Sequence, residues 1–111
     1  MKNNDKLYLQ DMLTAIEKIQ SYVESGDVSF FKSPLIQDAV IRNLEIIGEA
    51  TKRLSITLRD ENADVPWRKI AGLRDILIHD YDRVGMQEVW SVVKRDLPPL
   101  QLSVQDILLR L

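Results

Sequence analysis

Within one short stretch, Arg74-Asp75-Ile76-Leu77-Ile78-His79-Asp80-Tyr81, the chain sets a guanidinium, a carboxylate, an imidazole and a phenol. Arg74 offers a permanent cation whose planar fork fits phosphate oxygens. His79 carries the side chain that takes up or releases a proton near neutral pH. Asp75 stands one helical turn before His79, close enough to reach a ring nitrogen and fix its tautomer. A cation and a proton carrier without a set of metal ligands suit phosphodiester cleavage, with the 2′-hydroxyl of RNA as internal nucleophile. DNA has no such hydroxyl, so RNA is the expected substrate and DNA is not.

The rest of the composition narrows the alternatives. Cysteine is absent, which removes disulfides, thiolate nucleophiles and cysteine-ligated metals together. His79 is the only histidine, so one copy of the chain cannot build a multi-histidine metal site. Hydrophobic residues make up 45% of the 111 positions, which excludes disorder by composition and fits one domain over residues 1–111. A net charge of −2 argues against a broad basic surface. Contact with RNA must therefore be local, made by a few cations in a cleft. The polar start, Met-Lys-Asn-Asn-Asp-Lys, has no apolar region behind it, and no apolar run approaches the roughly 18 residues of a membrane span. A cytoplasmic protein without membrane contact is expected.

Hydrophobic periodicity predicts four to five helices and no strand. A first helix starts at Asn4 or Asp5, buries Leu9, Met12, Leu13, Ile16, Ile19 and Val23, and closes at Ser25-Gly26. Phe30 and Phe31 fall in a loop. Ser33 caps a long second helix, from about Leu35 to Leu58, with Pro34 at its first position. Its stripe is Val40, Leu44, Ile47, Leu54 and Leu58, with Ile41 and Ile46 beyond it. A third helix runs from Trp67 to His79 or Asp80, and a fourth from Met86 to Asp96 with Val89, Trp90 and Val93 inward. Pro98-Pro99 must kink or restart the chain before Val104, Ile107, Leu108 and Leu111. The expected architecture is an all-α, up-and-down bundle.

On the third helix Ile70, Leu73, Ile76 and Leu77 form one apolar sector, while Arg74, Ile78 and Tyr81 lie to one side and Asp75 and His79 towards the back. Ile78 interrupts the polar face, so burial on a second side is expected, plausibly against another copy of the chain. Arg74 and His79 point about 140° apart with a rise of roughly 7.5 Å. They converge if the helix ends or bends near His79, or if a two-fold dimer gathers both pairs around one cleft; the dimer is the favoured solution. An ordinary surface pair of Arg74 with Asp75 is disfavoured, because helix neighbours point apart. Glu45 and Glu49 read better as partners of Arg42 and Arg53 than as site residues. Gly48 is either a close-packing position at a dimer interface or incidental. Trp67 and Trp90 are expected core anchors.

The stretch from Arg74 to Tyr81 reads Arg-x4-His-x-Tyr and resembles the signature of HEPN-domain proteins, specifically the HepT-like toxins of HepT–MntA toxin–antitoxin systems. The resemblance extends through Arg42-Asn43-Leu44-Glu45-Ile46-Ile47-Gly48-Glu49-Ala50, Pro66-Trp67-Arg68-Lys69-Ile70-Ala71-Gly72-Leu73 and Asp96-Leu97-Pro98-Pro99-Leu100. It implies a dimeric ribonuclease toxin with Arg74 and His79 catalytic and Asp75 in the family's polar position. It also implies that Tyr81 is adenylylated by a cognate nucleotidyltransferase antitoxin, which alone needs ATP and magnesium; cleavage needs no cofactor. On a continued helix Tyr81 lies within about 20° of Arg74, two turns on, so an attached AMP phosphate could pair with that guanidinium. The alternative reading is a non-catalytic dimeric module that holds a nucleotide or a partner protein in the same cleft.

Overall fold

The computed structural model describes residues 4–79 and 85–111. These residues form helices α1 (Asp5–Tyr22), α2 (Asp27–Lys32), α3 (Pro34–Arg53), α4 (Ile56–Glu61) and α5 (Trp67–His79). After them come α6 (Met86–Ser91), a π-helical turn over Val92–Asp96, and α7 (Leu97–Arg110). The helix α3 is the central element, packing against α1 on one side and α5 on the other, while α7 closes over α1. The architecture is the expected all-α bundle, with more helices than periodicity predicted.

The core follows the predicted stripes closely. Leu9, Met12, Ile16 and Ile19 of α1 meet Val40, Leu44 and Ile47 of α3, all buried. Leu13 and Val23 are only partly covered, and Leu111 is exposed. Ser33 caps α3 as its type demands, its hydroxyl accepting from Ile36 N–H at 3.2 Å, with Pro34 in the first turn.

Three differences have identifiable physical causes. The Phe30–Phe31 segment is a short helix, entered through Gly26 at φ 91°, a left-handed backbone that favours glycine. The edge of Phe30 meets Phe31 at 5.1 Å, and Trp90 lies over Phe30 at 5.0 Å between centroids. Trp90 is thus half-buried, whereas Trp67 is buried with its indole N–H donating to Asn62 O at 3.0 Å.

The expected helix from Leu35 to Leu58 is broken after Arg53. Leu54 turns extended at φ −62°, ψ 144°, and Ser55 starts α4 by accepting from Leu58 N–H at 3.1 Å. Asp5 fixes this break from the other end of the chain. Its carboxylate accepts from the Ser55 N–H at 2.8 Å and the Ser55 hydroxyl at 2.6 Å. Asp5 is consequently a buried tie between α1 and α4, and Asn4 occupies the cap position of α1 without a side-chain cap bond.

The fourth and closing helices run on as one rod through the π turn, in which Leu97 N–H reaches back to Val92 O. Pro98 and Pro99 fall in the first turn of α7, where their missing N–H groups cost least. The carbonyls that their rings would otherwise strike, four residues back, belong to the widened turn.

Candidate active site

Arg74 owes its place to a glycine on the neighbouring helix. A Cβ built on Gly48 would overlap Arg74 Cβ and lie 3.1 Å from Arg74 N and 3.2 Å from Arg74 Cα. The helices α3 and α5 therefore pass backbone against backbone at this point. Gly48 is the close-packing residue that the sequence allowed, but its partner is α5 of the same chain.

That crossing sets Arg74 between Glu49, next to Gly48 on α3, and Asp75, its own neighbour on α5. Arg74 Nε lies 3.2 Å from Glu49 Oε2, and its Nη1 lies 3.2 Å from Asp75 Oδ1. Lys52 Nζ binds the same Asp75 oxygen, and Glu49 Oε1 accepts from Arg53 Nε at 3.3 Å. The result is an alternating row, Arg53–Glu49–Arg74–Asp75–Lys52. The Arg74 side chain is 30% exposed, and its Nη2 has no ion-pair partner among the described residues. At such exposure solvent screens the pairs, and they add little to stability. The row acts by fixing where the Arg74 fork points.

Two expectations change here. Arg74 and Asp75 do pair, although neighbours on a helix leave in different directions, because the long guanidinium arm folds back to the short carboxylate. Glu49, set aside as a partner for Arg53, is that and a partner of Arg74 as well; Glu45 pairs with Arg42 at 3.6 Å. Lys52 was not expected at all. The signal for it was Gly48, which shares a face of α3 with the residue one turn on.

Hydrogen bonds from Lys52, and then from Arg74, hold the Asp75 carboxyl below the usual carboxylate value. Asp75 is therefore ionised across the physiological range and serves as a fixed anion. A carboxyl lowered on folding stabilises the fold above its unfolded pKa, and that contribution is lost as pH falls through the lowered value. The pKa of Arg53 is raised by Tyr8 and by Glu49, which leaves it firmly charged.

Arg74 lines a cleft of about 400 Å³ together with Tyr8, Arg42, Glu45, Glu49 and Ile78. Arg74 and Ile78 share this side of α5, as the helical wheel placed them. Ile76 does not follow its expected sector. It is 49% exposed, at the mouth of an apolar cavity of about 360 Å³ beside Ile70 and Leu73. Ile78 is 43% exposed, so α5 carries open apolar surface on two sides.

The helix α5 runs to His79. The His79 side chain and Tyr81 lie outside the described residues, and with them the expected contacts of Asp75 with His79 and of Tyr81 with Arg74. Among the described residues no group of three His, Cys, Asp or Glu side chains could hold a metal ion. No described helix is long and apolar enough to cross a membrane.

Comparison with known proteins settles the family. The sequence pattern of the family described as Ribonuclease HepT-like matches residues 12–107. The chain belongs to the HepT-like ribonucleases of the HEPN group. It is 41% identical to a Thermococcus cleftensis protein named "Probable ribonuclease HepT", over 91% of this chain and 93% of that one. A candidate RNase of Caldanaerobacter subterraneus subsp. tengcongensis is 38% identical over 91% of each chain. A longer Methanocaldococcus jannaschii protein, named a gamma-glutamylcyclotransferase and candidate RNase, is 41% identical over 97% of this chain, which spans 49% of its length. No solved structure gives a significant match.

The Gly48–Arg74 contact makes a paired prediction for this HepT-like chain. Gly48→Ala forces a methyl into the Arg74 backbone and should destabilise the fold by about 1–3 kcal/mol, despite alanine's better helix propensity. Gly72→Ala, on the same helix as Arg74 but with nothing within 4 Å of its Cβ, should instead stabilise it; the gain should be roughly 0.5–1 kcal/mol. Urea unfolding at one fixed protein concentration measures both. A Gly48→Ala protein as stable as the parent contradicts the close contact.

Proposed function

We propose that this chain is a metal-independent endoribonuclease and the toxin of a toxin–antitoxin pair, with Arg74 and His79 as its catalytic residues. The observation that carries this reading is the Arg74 guanidinium, braced by Glu49 and Asp75 in an open cleft that α5 lines with Arg74 and Ile78. An imidazole at position 79 takes the proton of the RNA 2′-hydroxyl, and the freed oxygen attacks the adjacent phosphorus. The bond to the 5′-oxygen breaks, and that oxygen receives a proton from an imidazolium. Arg74 stabilises the charge that gathers on the phosphorane oxygens. The products are a 2′,3′-cyclic phosphate and a 5′-hydroxyl. Asp75, kept ionised near neutral pH by Lys52 and Arg74, positions Arg74 and the His79 ring and takes no proton in the cycle.

A two-fold dimer completes the reading. Ile76 and Ile78 stand about 200° apart on α5, so no single neighbouring helix can cover both. A second copy that covers one of them brings two Arg74–His79 sets towards a shared cleft and lets the two histidines divide the acid and base roles. Tyr81 is the regulatory residue. A cognate nucleotidyltransferase antitoxin, using ATP and magnesium, would attach AMP to its hydroxyl, and the new phosphodiester would compete with RNA for Arg74.

Three measurements test this. Cleavage of RNA should persist in excess EDTA, and His79→Ala or Arg74→Ala should each reduce it by about 10²-fold or more while helical circular dichroism stays intact. If both variants cut as the wild type does, the cleft is instead a non-catalytic site for a nucleotide or a protein. Sedimentation at micromolar concentration should give twice the 12.8 kDa chain mass; an active monomer rules out a composite cleft. After incubation with the antitoxin, ATP and magnesium, peptide mass spectrometry should place AMP on Tyr81, and Tyr81→Phe should stay active and unmodified. AMP found solely on another residue removes Tyr81 from the account.

A further inference from the structure

A second groove begins where the cleft ends, on the other side of Asp75. It has a volume of about 710 Å³ and runs between the end of α3 with α4 and the outer face of α5. On α5 its wall is Arg68, Ala71, Gly72 and Asp75, which recur at three- and four-residue spacing and so form one stripe roughly 10 Å long. Opposite stand Lys52, Ile56 and Arg59. The middle of the stripe is bare, because Gly72 has no side chain and a Cβ there would meet nothing within 4 Å. A trough floored by small residues and bordered by long cations is shaped for a chain laid along it.

Charge identifies what the trough takes. It holds Lys52, Arg59 and Arg68 against two carboxylates, Asp60 and Asp75. Asp75 is already matched by Lys52 and Arg74, so Arg59 and Arg68 face Asp60 alone. Neither arginine has an ion-pair partner among the described residues. The Arg59 Nε–H is shut off from solvent and finds no acceptor. A shielded guanidinium N–H without an acceptor is uncommon in a finished structure. No hydrogen bond or ion pair among the described residues ties that guanidinium to its present place, and an anion in the groove would supply the acceptor it lacks once the side chain turns outward. Ile56, 70% exposed on the same wall, offers apolar surface to a base.

We infer that this groove carries the RNA strand flanking the scissile phosphate, with Arg59 and Arg68 on its backbone phosphates. The inference rests on the ribonuclease reading and extends it from the reacting phosphate to substrate capture. The strand crosses from Arg74 over the Asp75–Lys52 pair into the trough, so affinity comes from phosphates that are not cut. An acidic chain can hold RNA in this way without a basic surface, through a few cations in line with the cleft.

The test uses the intact chain and a fluorescein-labelled 12-nucleotide RNA, 2′-O-methylated throughout so that it binds without being cut. Anisotropy is read across a salt series. Arg68→Glu and Gly72→Glu, both at open positions, should weaken binding roughly tenfold at low salt. Arg59→Ala and Arg68→Ala should each lower the magnitude of the salt slope by about 0.7, the value of one single-strand phosphate contact. Lys18→Ala, an equal charge change on the exposed face of α1, should alter neither quantity. If the wild type cuts unmodified RNA while the groove variants bind as it does, the groove inference is wrong and the ribonuclease reading stands. If the variants keep RNA affinity and lose the antitoxin instead, the groove is a protein-docking surface and the inference is again wrong. A wild type that neither binds nor cuts RNA ends both.

Discussion

The molecule depends on one close approach, that of Gly48 to the backbone of Arg74. Helices normally pack through side chains that hold their axes 8–10 Å apart. Here a missing side chain on α3 lets α5 settle onto it, and the residue in contact is Arg74, at the centre of the charged row. Because Glu49 adjoins Gly48 and Lys52 lies one turn beyond, the same crossing delivers an anion to the Arg74 fork and a cation to Asp75 beside it. Packing and electrostatics are thus a single arrangement, in which the depth of the helix crossing decides the direction of a charge.

The charges themselves are nearly balanced, and that balance has a purpose beyond solubility. A cation standing alone in a half-open cleft would swing freely and hold any passing anion. Flanked by Glu49 and Asp75, Arg74 keeps one geometry, and its remaining donor edge has no ion-pair partner among the described residues. The pairs are too exposed to stabilise the fold much. Their effect is on orientation, which is where a transition-state contact gains most. Lys52 and Arg74 in turn keep Asp75 ionised, so its charge is a fixed part of the frame around the fork.

Most of the frame could be read from the sequence, because apolar stripes at helical spacing survive into the fold: Leu9 to Ile19, Val40 to Ile47, and Val104 to Ile107. Where the reading failed, the cause was a tertiary partner that no local pattern carries. Leu54 and Leu58 are both buried and one turn apart, so the stripe looks continuous across a break that Asp5, some fifty positions earlier, holds open through Ser55. The site shows the same limit. Arg74 and Ile78 are legible together from the helical wheel, but Glu49 and Lys52 come from another helix: Glu49 reads only as a partner of Arg53, and Lys52 has no signal beyond Gly48 one turn before it. Ile76 read as core because its neighbours Leu73 and Leu77 are; its exposure depends on a cavity that only the assembled helices create.

The widened turn at Val92–Asp96 does more than admit two prolines. Val89, Val93 and Leu97 are each four residues apart, a spacing that drifts by roughly 80° around a regular α-helix over those two steps. All three are nevertheless buried, followed by Leu100, Val104 and Ile107. The extra residue in the turn acts as a phase shifter that rewinds the last rod so that one side stays inward along its whole length. A single-residue insertion or deletion between Val89 and Leu97 would therefore rotate α7 away from α1 and expose a face built to be dry.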